Sequence, residues 1–199
     1  KIEREILGIK GGYQDQFAAA SGNGFNYIEF KKAKTTDLLA DVTIFPWKIK
    51  PEALKKIEDG LLLFYLENRD ISGNQAHIDQ KEKLIQDEDN IKRVLIEKRD
   101  NTLDIRDALL EGNIPKIGSL LHKDYELKKM LNPLVNKENI EEIYEGAMSL
   151  GAYGGRISGA GSGGCMFLLC DSSRKQSIIK FIESKGGIHM PCELARSRE

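Results

Sequence analysis

Apolar residues along the chain fall into short continuous runs and into longer stretches with helical spacing. The short runs are typical of buried strands, because five or six consecutive apolar residues are too few for a buried helix. Continuous runs predict strands at Leu61–Leu66 and Cys165–Cys170, and shorter or interrupted apolar stretches predict strands at Phe25–Phe30, Val42–Phe45 and Ile188–Leu194.

The remaining stretches have the spacing and end signals of helices. Pro51 opens one of them, since proline is tolerated in the first helical turn, and Asp59 and Gly60 end it. The other predicted helices are Tyr13–Ala20, Gln75–Lys98, Thr102–Glu111, Ile114–His122, Tyr125–Leu131, a segment that Asn136 caps and that ends near Leu150, and Ser173–Ser184. A helical block flanked by strands that can form one antiparallel sheet predicts an α+β fold.

Composition narrows the class of protein. The 199 residues are 40% hydrophobic and 31% charged, as in ordinary globular proteins, and the formal net charge is −1. This balance argues against a broad nucleic-acid surface, and no apolar run is long enough for a membrane helix. The three cysteines and three histidines have no ligand spacing, so we expect no metal site formed by them, and reduced thiols in a cytoplasmic protein.

Six glycines lie between Gly154 and Gly164. Glycines allow backbone N–H groups to approach an anion closely, but they also permit a tight turn that serves packing alone. The segment matches the letters GxGxxG, yet a dinucleotide site needs a strand before the loop and a helix after it. Here a predicted helix ends near Leu150 and a strand follows, so we reject dinucleotide binding. The negative end of that helix would not favour phosphate.

A carboxylate follows two glycines near the start of the chain. Asp15 lies just after Gly11 and Gly12, in the first turn of the predicted helix. Acidic residues are common there because they interact favourably with the helix dipole. The alternative is a general base at the mouth of a cleft, which needs only hydrogen-bond reach of a hydroxyl.

Together, GGYQDQ near the start and GAYGGRISGAGSGG near the end resemble two motifs of the GHMP kinase superfamily. Further stretches, GFNYIEF and LLLFY, are similar to the branch that phosphorylates heptose 7-phosphate. This resemblance implies an ATP-dependent sugar kinase that makes a sugar 1-phosphate. Its substrates would be a sugar phosphate and ATP, with Mg²⁺ as the metal ion, and it would act without nucleic acid or membrane.

The resemblance also assigns roles to residues. Asp15 corresponds to the proposed base of the GxxDQ motif, and Gly11, Gly12 and Tyr13 would border the sugar. The residues beside the phosphate groups would be Ser158, Gly159, Ala160, Gly161, Ser162 and Gly163. Two positions depart from the family pattern, since Ser162 replaces a frequent glycine and Arg156 replaces a frequent lysine.

The family's loop for the ATP phosphates and its Mg²⁺ ligands have no match in this sequence. We therefore expect residues 1–46 to be the end of an N-terminal domain, residues 47–199 to be the C-terminal domain, and the N-terminal half to be required for activity. Two alternatives stay open. The chain could be a non-catalytic module that binds a sugar phosphate or a partner chain, or the acceptor could be fucose or galactose.

Overall fold

The computed structural model of the protein describes residues 13–21, 24–32, 40–66, 88–131, 138–158 and 164–194. Its first part is a helix followed by a two-stranded antiparallel sheet. Helix α1 (Gln14–Ser21) precedes β1 (Asn26–Lys32), which pairs with β2 (Ala40–Pro46). The Phe17 and Phe30 rings meet edge to face at 5.8 Å and hold α1 against β1. The helix and both strands predicted here are confirmed.

A second sheet has four antiparallel strands in the order β4-β5-β3-β6. They are β3 (Leu61–Tyr65), β4 (Ala152–Ile157), β5 (Cys165–Cys170) and β6 (Ile188–His189). Strand β6 is shorter than the predicted Ile188–Leu194, because only its first two residues pair with β3. The α+β class with an antiparallel sheet and packed helices is confirmed, but the strands form two sheets rather than the single sheet expected.

Among the described residues, five further helices surround this sheet. They are α2 (Pro51–Gly60), α3 (Glu88–Glu111), α4 (Ile114–Leu131), α5 (Glu138–Ser149) and α6 (Lys175–Ser184). A 3₁₀ turn at Ser172–Arg174 leads into α6. The Asp171 carboxylate accepts a hydrogen bond from the Ser173 backbone N–H and so caps that turn.

The two faces of the four-stranded sheet bury different clusters. In β3, Leu62 and Phe64 are fully buried while their neighbours are half-buried, as the alternation of side chains along a strand requires. The larger cluster joins this face to α5 and α6, and its buried members include Ile140, Tyr144, Ala147, Met166, Leu168, Ile178 and Ile182. The other face packs on α2 and the α3–α4 pair through Ile57, Ala108, Ile114, Ile117 and Leu169.

Two predicted helix breaks are wrong. Helix α3 continues through Asn101, and α4 continues through Asp124. Both polar residues are buried between helices rather than placed at ends. Asn101 is 1% exposed, and its side-chain amide donates to the Leu120 carbonyl oxygen at 2.9 Å. Each of these polar side chains makes a contact between helices, so the helix does not end where the prediction left a gap.

The glycine-rich segment begins with a strand that the sequence did not predict. Gly154 and Gly155 lie within β4, where a Cβ would come 2.0 Å from the Gly118 and Phe167 carbonyl oxygens respectively. These two glycines therefore serve close packing. Strand β4 separates α5 from the glycine loop, which we define as residues 158–164. The expectation that this loop follows a helix C-terminus is thus wrong, and the dipole argument does not apply.

Candidate active site

The glycine loop connects two paired strands, and both of its ends are fixed by backbone hydrogen bonds. The Ser158 N–H donates to the Cys165 carbonyl oxygen at 2.8 Å. The Leu66 N–H donates to the Gly164 carbonyl oxygen at 2.9 Å, which ties the far end of the loop to the end of β3. Gly164 has a φ of 90°, a conformation that side-chain-bearing residues rarely adopt. The loop therefore leaves and re-enters the sheet at defined points.

Of the residues predicted to border phosphate, only Ser158 lies within the described part of the chain. Gly159, Ala160, Gly161, Ser162 and Gly163 lie outside it. The backbone N–H of Ser158 is already used in the pairing with β5. A contact from this residue to an anion would have to come from its half-buried side-chain hydroxyl.

A charged cluster lies beside the start of the loop. The Asp124 side chain in α4 is 8% exposed and pairs with Lys98 of α3. The Arg156 Nη1 atom in β4 lies 3.1 Å from the Asp124 Oδ2 atom. One turn further along α4, the Lys128 ammonium group donates to the Ile157 carbonyl oxygen at 3.1 Å. Three cations thus gather around one buried carboxylate and the last residues of β4.

The surroundings of this cluster shift the pKa of Lys98. Burial lowers the pKa of Lys98, because a charged ammonium group is poorly solvated there. The neighbouring Asp124 carboxylate opposes this shift, and the Arg156 guanidinium adds to it. Sequence reasoning singled out Arg156 but missed Lys98 and Asp124. No local signal marked these two residues, because charged side chains on a helix have the pattern of a solvated face.

Aromatic side chains of α4 and α5 contact the part of β4 that precedes Arg156. The Tyr144 hydroxyl donates to the Gly155 carbonyl oxygen at 3.3 Å and lies 3.0 Å from the His122 Nδ1 atom. Burial raises the pKa of Tyr144 well above its usual value, so the hydroxyl stays protonated and can donate. The neighbouring Tyr125 hydroxyl donates to the Glu141 carboxylate at 2.8 Å. Helices α4 and α5 therefore fix the backbone of β4 before the loop begins.

The proposed base lies at the other end of the described chain. Asp15 is exposed in the first turn of α1, and the half-buried Tyr13 precedes the helix. The Tyr13 carbonyl oxygen accepts a hydrogen bond from the Phe17 N–H at 3.2 Å. Gly11 and Gly12 lie outside the described residues. The roles of all four residues stay predictions.

Neither a cluster of metal-binding side chains nor a membrane helix is found among the described residues. Across these ranges, no group of three or more histidine, cysteine, aspartate or glutamate side chains is placed to hold a metal ion. None of the helices described is both long and apolar enough to cross a membrane. Ligands for Mg²⁺ are therefore not assigned to this part of the chain.

Similarity to known proteins agrees with this fold. Residues 105–188 match the family described as GHMP kinases C terminal. A D-glycero-alpha-D-manno-heptose 7-phosphate kinase from Campylobacter jejuni is 33% identical over 188 residues, which are 94% of this chain and 52% of that protein. A galactokinase from Pyrococcus furiosus is 29% identical over 195 residues, with 89% of this chain and 53% of that protein covered.

A solved structure also superposes on this chain. The crystal structure of a D-glycero-D-manno-heptose 1-phosphate kinase from Bacteroides thetaiotaomicron superposes with a TM-score of 0.63 at 26% identity, covering 98% of this chain and 50% of that one. The fold is that of the C-terminal part of a small-molecule kinase. Within this fold, residues 105–188 are the part that matches the GHMP kinase C-terminal family. It spans about half the length of the curated relatives it matches.

Proposed function

We propose that this chain forms the C-terminal part of an ATP-dependent sugar kinase that phosphorylates the anomeric hydroxyl of heptose 7-phosphate. The observation that carries the proposal is the 33% identity to a heptose 7-phosphate kinase over 94% of the chain. The matching α+β fold and the family match at residues 105–188 support it. We further propose that residues 1–46 belong to the end of an N-terminal domain and residues 47–199 to the C-terminal domain.

Asp15 is the proposed general base. Its carboxylate would take the proton from the anomeric hydroxyl as that oxygen attacks the γ-phosphorus of ATP. The new oxygen–phosphorus bond forms while the bond to the bridging β–γ oxygen breaks, and ADP leaves with that oxygen. Asp15 is exposed, which is consistent with access to a substrate hydroxyl. No residue is proposed as a ligand of Mg²⁺, and no step is assigned to the metal here.

The glycine loop would border the transferred phosphate. Phosphoryl transfer depends mainly on positioning and on stabilisation of charge. A loop with fixed ends is therefore suited to border the phosphate at a constant position. The ends are fixed by the hydrogen bonds of Ser158 and Gly164. Gly11, Gly12 and Tyr13 are the residues proposed to border the sugar.

A second acceptor has a specific observation in its favour. The similarity to galactokinases favours galactose as the acceptor, although at lower identity than the heptose kinase. A non-catalytic module that binds a sugar phosphate or a partner chain is the alternative from another class of function.

An acceptor panel distinguishes these functions. The complete polypeptide encoded by the gene is incubated with Mg-ATP and heptose 7-phosphate, galactose or fucose, and ADP release is measured by a coupled assay. We expect kcat/KM for heptose 7-phosphate to exceed that for the other sugars by about a hundredfold or more, because a site with buried polar groups rejects an acceptor that leaves them unpaired. Preference for galactose would overturn the acceptor assignment, and no turnover with any sugar would favour the non-catalytic module.

A further inference from the structure

Helix α4 contacts strand β4 at successive points up to the residue where the glycine loop begins. The Gly118 carbonyl oxygen lies so close to Gly154 that a Cβ there would come within 2.0 Å. Two residues further along β4, Arg156 meets Asp124, and the next carbonyl oxygen, of Ile157, accepts from Lys128. The helix therefore follows the strand to its last residue.

Asp124 is the central group in this contact. A buried carboxylate is retained in proteins only when it is paired, because its desolvation is costly. Lys98 bonds one of its oxygens, and the Arg156 Nη1 atom lies 3.1 Å from the other. That second oxygen is buried and receives no well-aligned hydrogen bond from the described residues, so its attraction to Arg156 is chiefly ionic.

The arrangement of these charges depends more on Asp124 than on Arg156. The Arg156 side chain is 35% exposed and Lys98 is 23% exposed. Without the Asp124 charge, the two positive groups would lie near each other with no counter-charge between them. Without Arg156, by contrast, the pair of Lys98 and Asp124 would remain. Asp124 is therefore the member on which the arrangement depends.

We propose that Asp124 is a positioning residue for the glycine loop. Through Arg156, and together with the bond from Lys128 to the Ile157 carbonyl, it fixes the end of β4 relative to α3 and α4. It thereby sets where Ser158 and the loop after it depart from the sheet. Its effect on catalysis rests on the proposed kinase function, whereas its effect on the loop does not.

Hydrogen exchange in the 199-residue chain tests the structural part. The variants are Asp124→Asn and Arg156→Gln, and the matched control is Asp59→Asn, which removes an exposed pair with Lys55. We expect backbone amides in peptides spanning 156–165 to exchange about tenfold faster or more in both test variants, as loss of a charge-assisted contact implies. Peptides spanning β3 should be unchanged in Arg156→Gln and in the control.

Arg156→Gln keeps the test decisive if Asp124→Asn does not fold, because it alters a partly exposed residue. Unchanged exchange around the loop in Arg156→Gln would overturn the proposal. An equal increase in every peptide of that variant would also overturn it, since that result indicates general destabilisation rather than positioning.

Kinetics of the complete polypeptide test the catalytic part. Since small displacements of a phosphate-bordering loop disturb the reacting geometry, we expect Arg156→Gln to lower kcat about tenfold or more with little change in KM for the sugar. Asp124→Glu, which keeps the charge, should retain more of kcat than Asp124→Asn. Equal kcat in wild type and Arg156→Gln would contradict the catalytic role. If the wild type shows no kinase activity, the proposed function fails, and the exchange result alone decides the positioning role.

Discussion

Replacing Asp15 with asparagine is expected to lower sugar-dependent ADP release by the complete polypeptide about 10²- to 10⁴-fold, the usual contribution of a positioned general base. The amide has nearly the shape of the carboxylate but cannot accept the proton of the attacking hydroxyl. Because Asp15 is exposed in the first turn of α1, the loss of the favourable interaction with the helix dipole should cost under about 1 kcal/mol of folding free energy. Activity should therefore fall while the fold persists.

The control for this prediction is Asp59→Asn. Asp59 is another exposed aspartate of the described chain, and its carboxylate pairs with Lys55 on the same helix. Surface pairs of this kind contribute little, so kcat and the melting temperature should stay near wild type. If Asp15→Asn turned over as fast as this control, the assignment of the base would be wrong.

Replacing Gly154 with alanine is expected to lower the free energy of unfolding by about 3–5 kcal/mol, among the larger effects of single substitutions. Gly154 has a φ of 145°, and an added Cβ would lie 2.0 Å from the Gly118 carbonyl oxygen and 3.0 Å from the His122 Cβ atom. The nearest atom belongs to the backbone of α4, which cannot move aside without displacing the helix. Strain and crowding therefore act together.

Gly186→Ala separates these two causes. Gly186 also has a positive φ, of 88°, but an added Cβ there would meet no atom within 4 Å. It should cost only the conformational strain, about 1–3 kcal/mol. Urea unfolding of both variants measures the difference. Equal costs at the two glycines would show that the close approach of α4 and β4 contributes nothing to stability.

The parts of the fold that follow local patterns could be predicted from the sequence. The apolar run Leu61–Leu66 and the helical spacing of Ile140, Ile143 and Tyr144 both produce buried faces that the structure contains. These segments bury enough apolar surface for their pattern alone to indicate where they pack.

The parts that were missed depend on contacts between distant residues. Asn101 continues a helix because its amide reaches Leu120, nineteen positions away. Gly154 and Gly155 lie in a strand although glycine has low strand propensity, because they pair with Leu169 and Leu168 of β5. Other backbone segments approach them too closely for a side chain, which is why these positions require glycine. No local pattern contains that information.

Some residues of the candidate site could likewise be predicted from the sequence, and others could not. Asp15 and the glycine-rich segment were identified because their letters form a motif. Asp124 was not, because an aspartate flanked by lysine on a helix has the pattern of a solvated face. Its burial, and its contacts with Lys98 and Arg156, arise only when α3, α4 and β4 assemble.

The most direct test of the central claim is a comparison of two proteins in one assay. The complete polypeptide encoded by the gene and the 199-residue chain are each supplied with Mg-ATP and heptose 7-phosphate, and ADP release and the sugar product are followed by coupled assay and ³¹P NMR. We predict that the complete polypeptide forms ADP and a new anomeric phosphate ester in equal amounts. The 199-residue chain alone should form neither, because the ATP phosphates need a dedicated cradle and a held Mg²⁺, and the family's loop and Mg²⁺ ligands for that purpose have no match in its sequence. Absence of the ester from the complete polypeptide, or its formation by the 199-residue chain alone, would contradict the account.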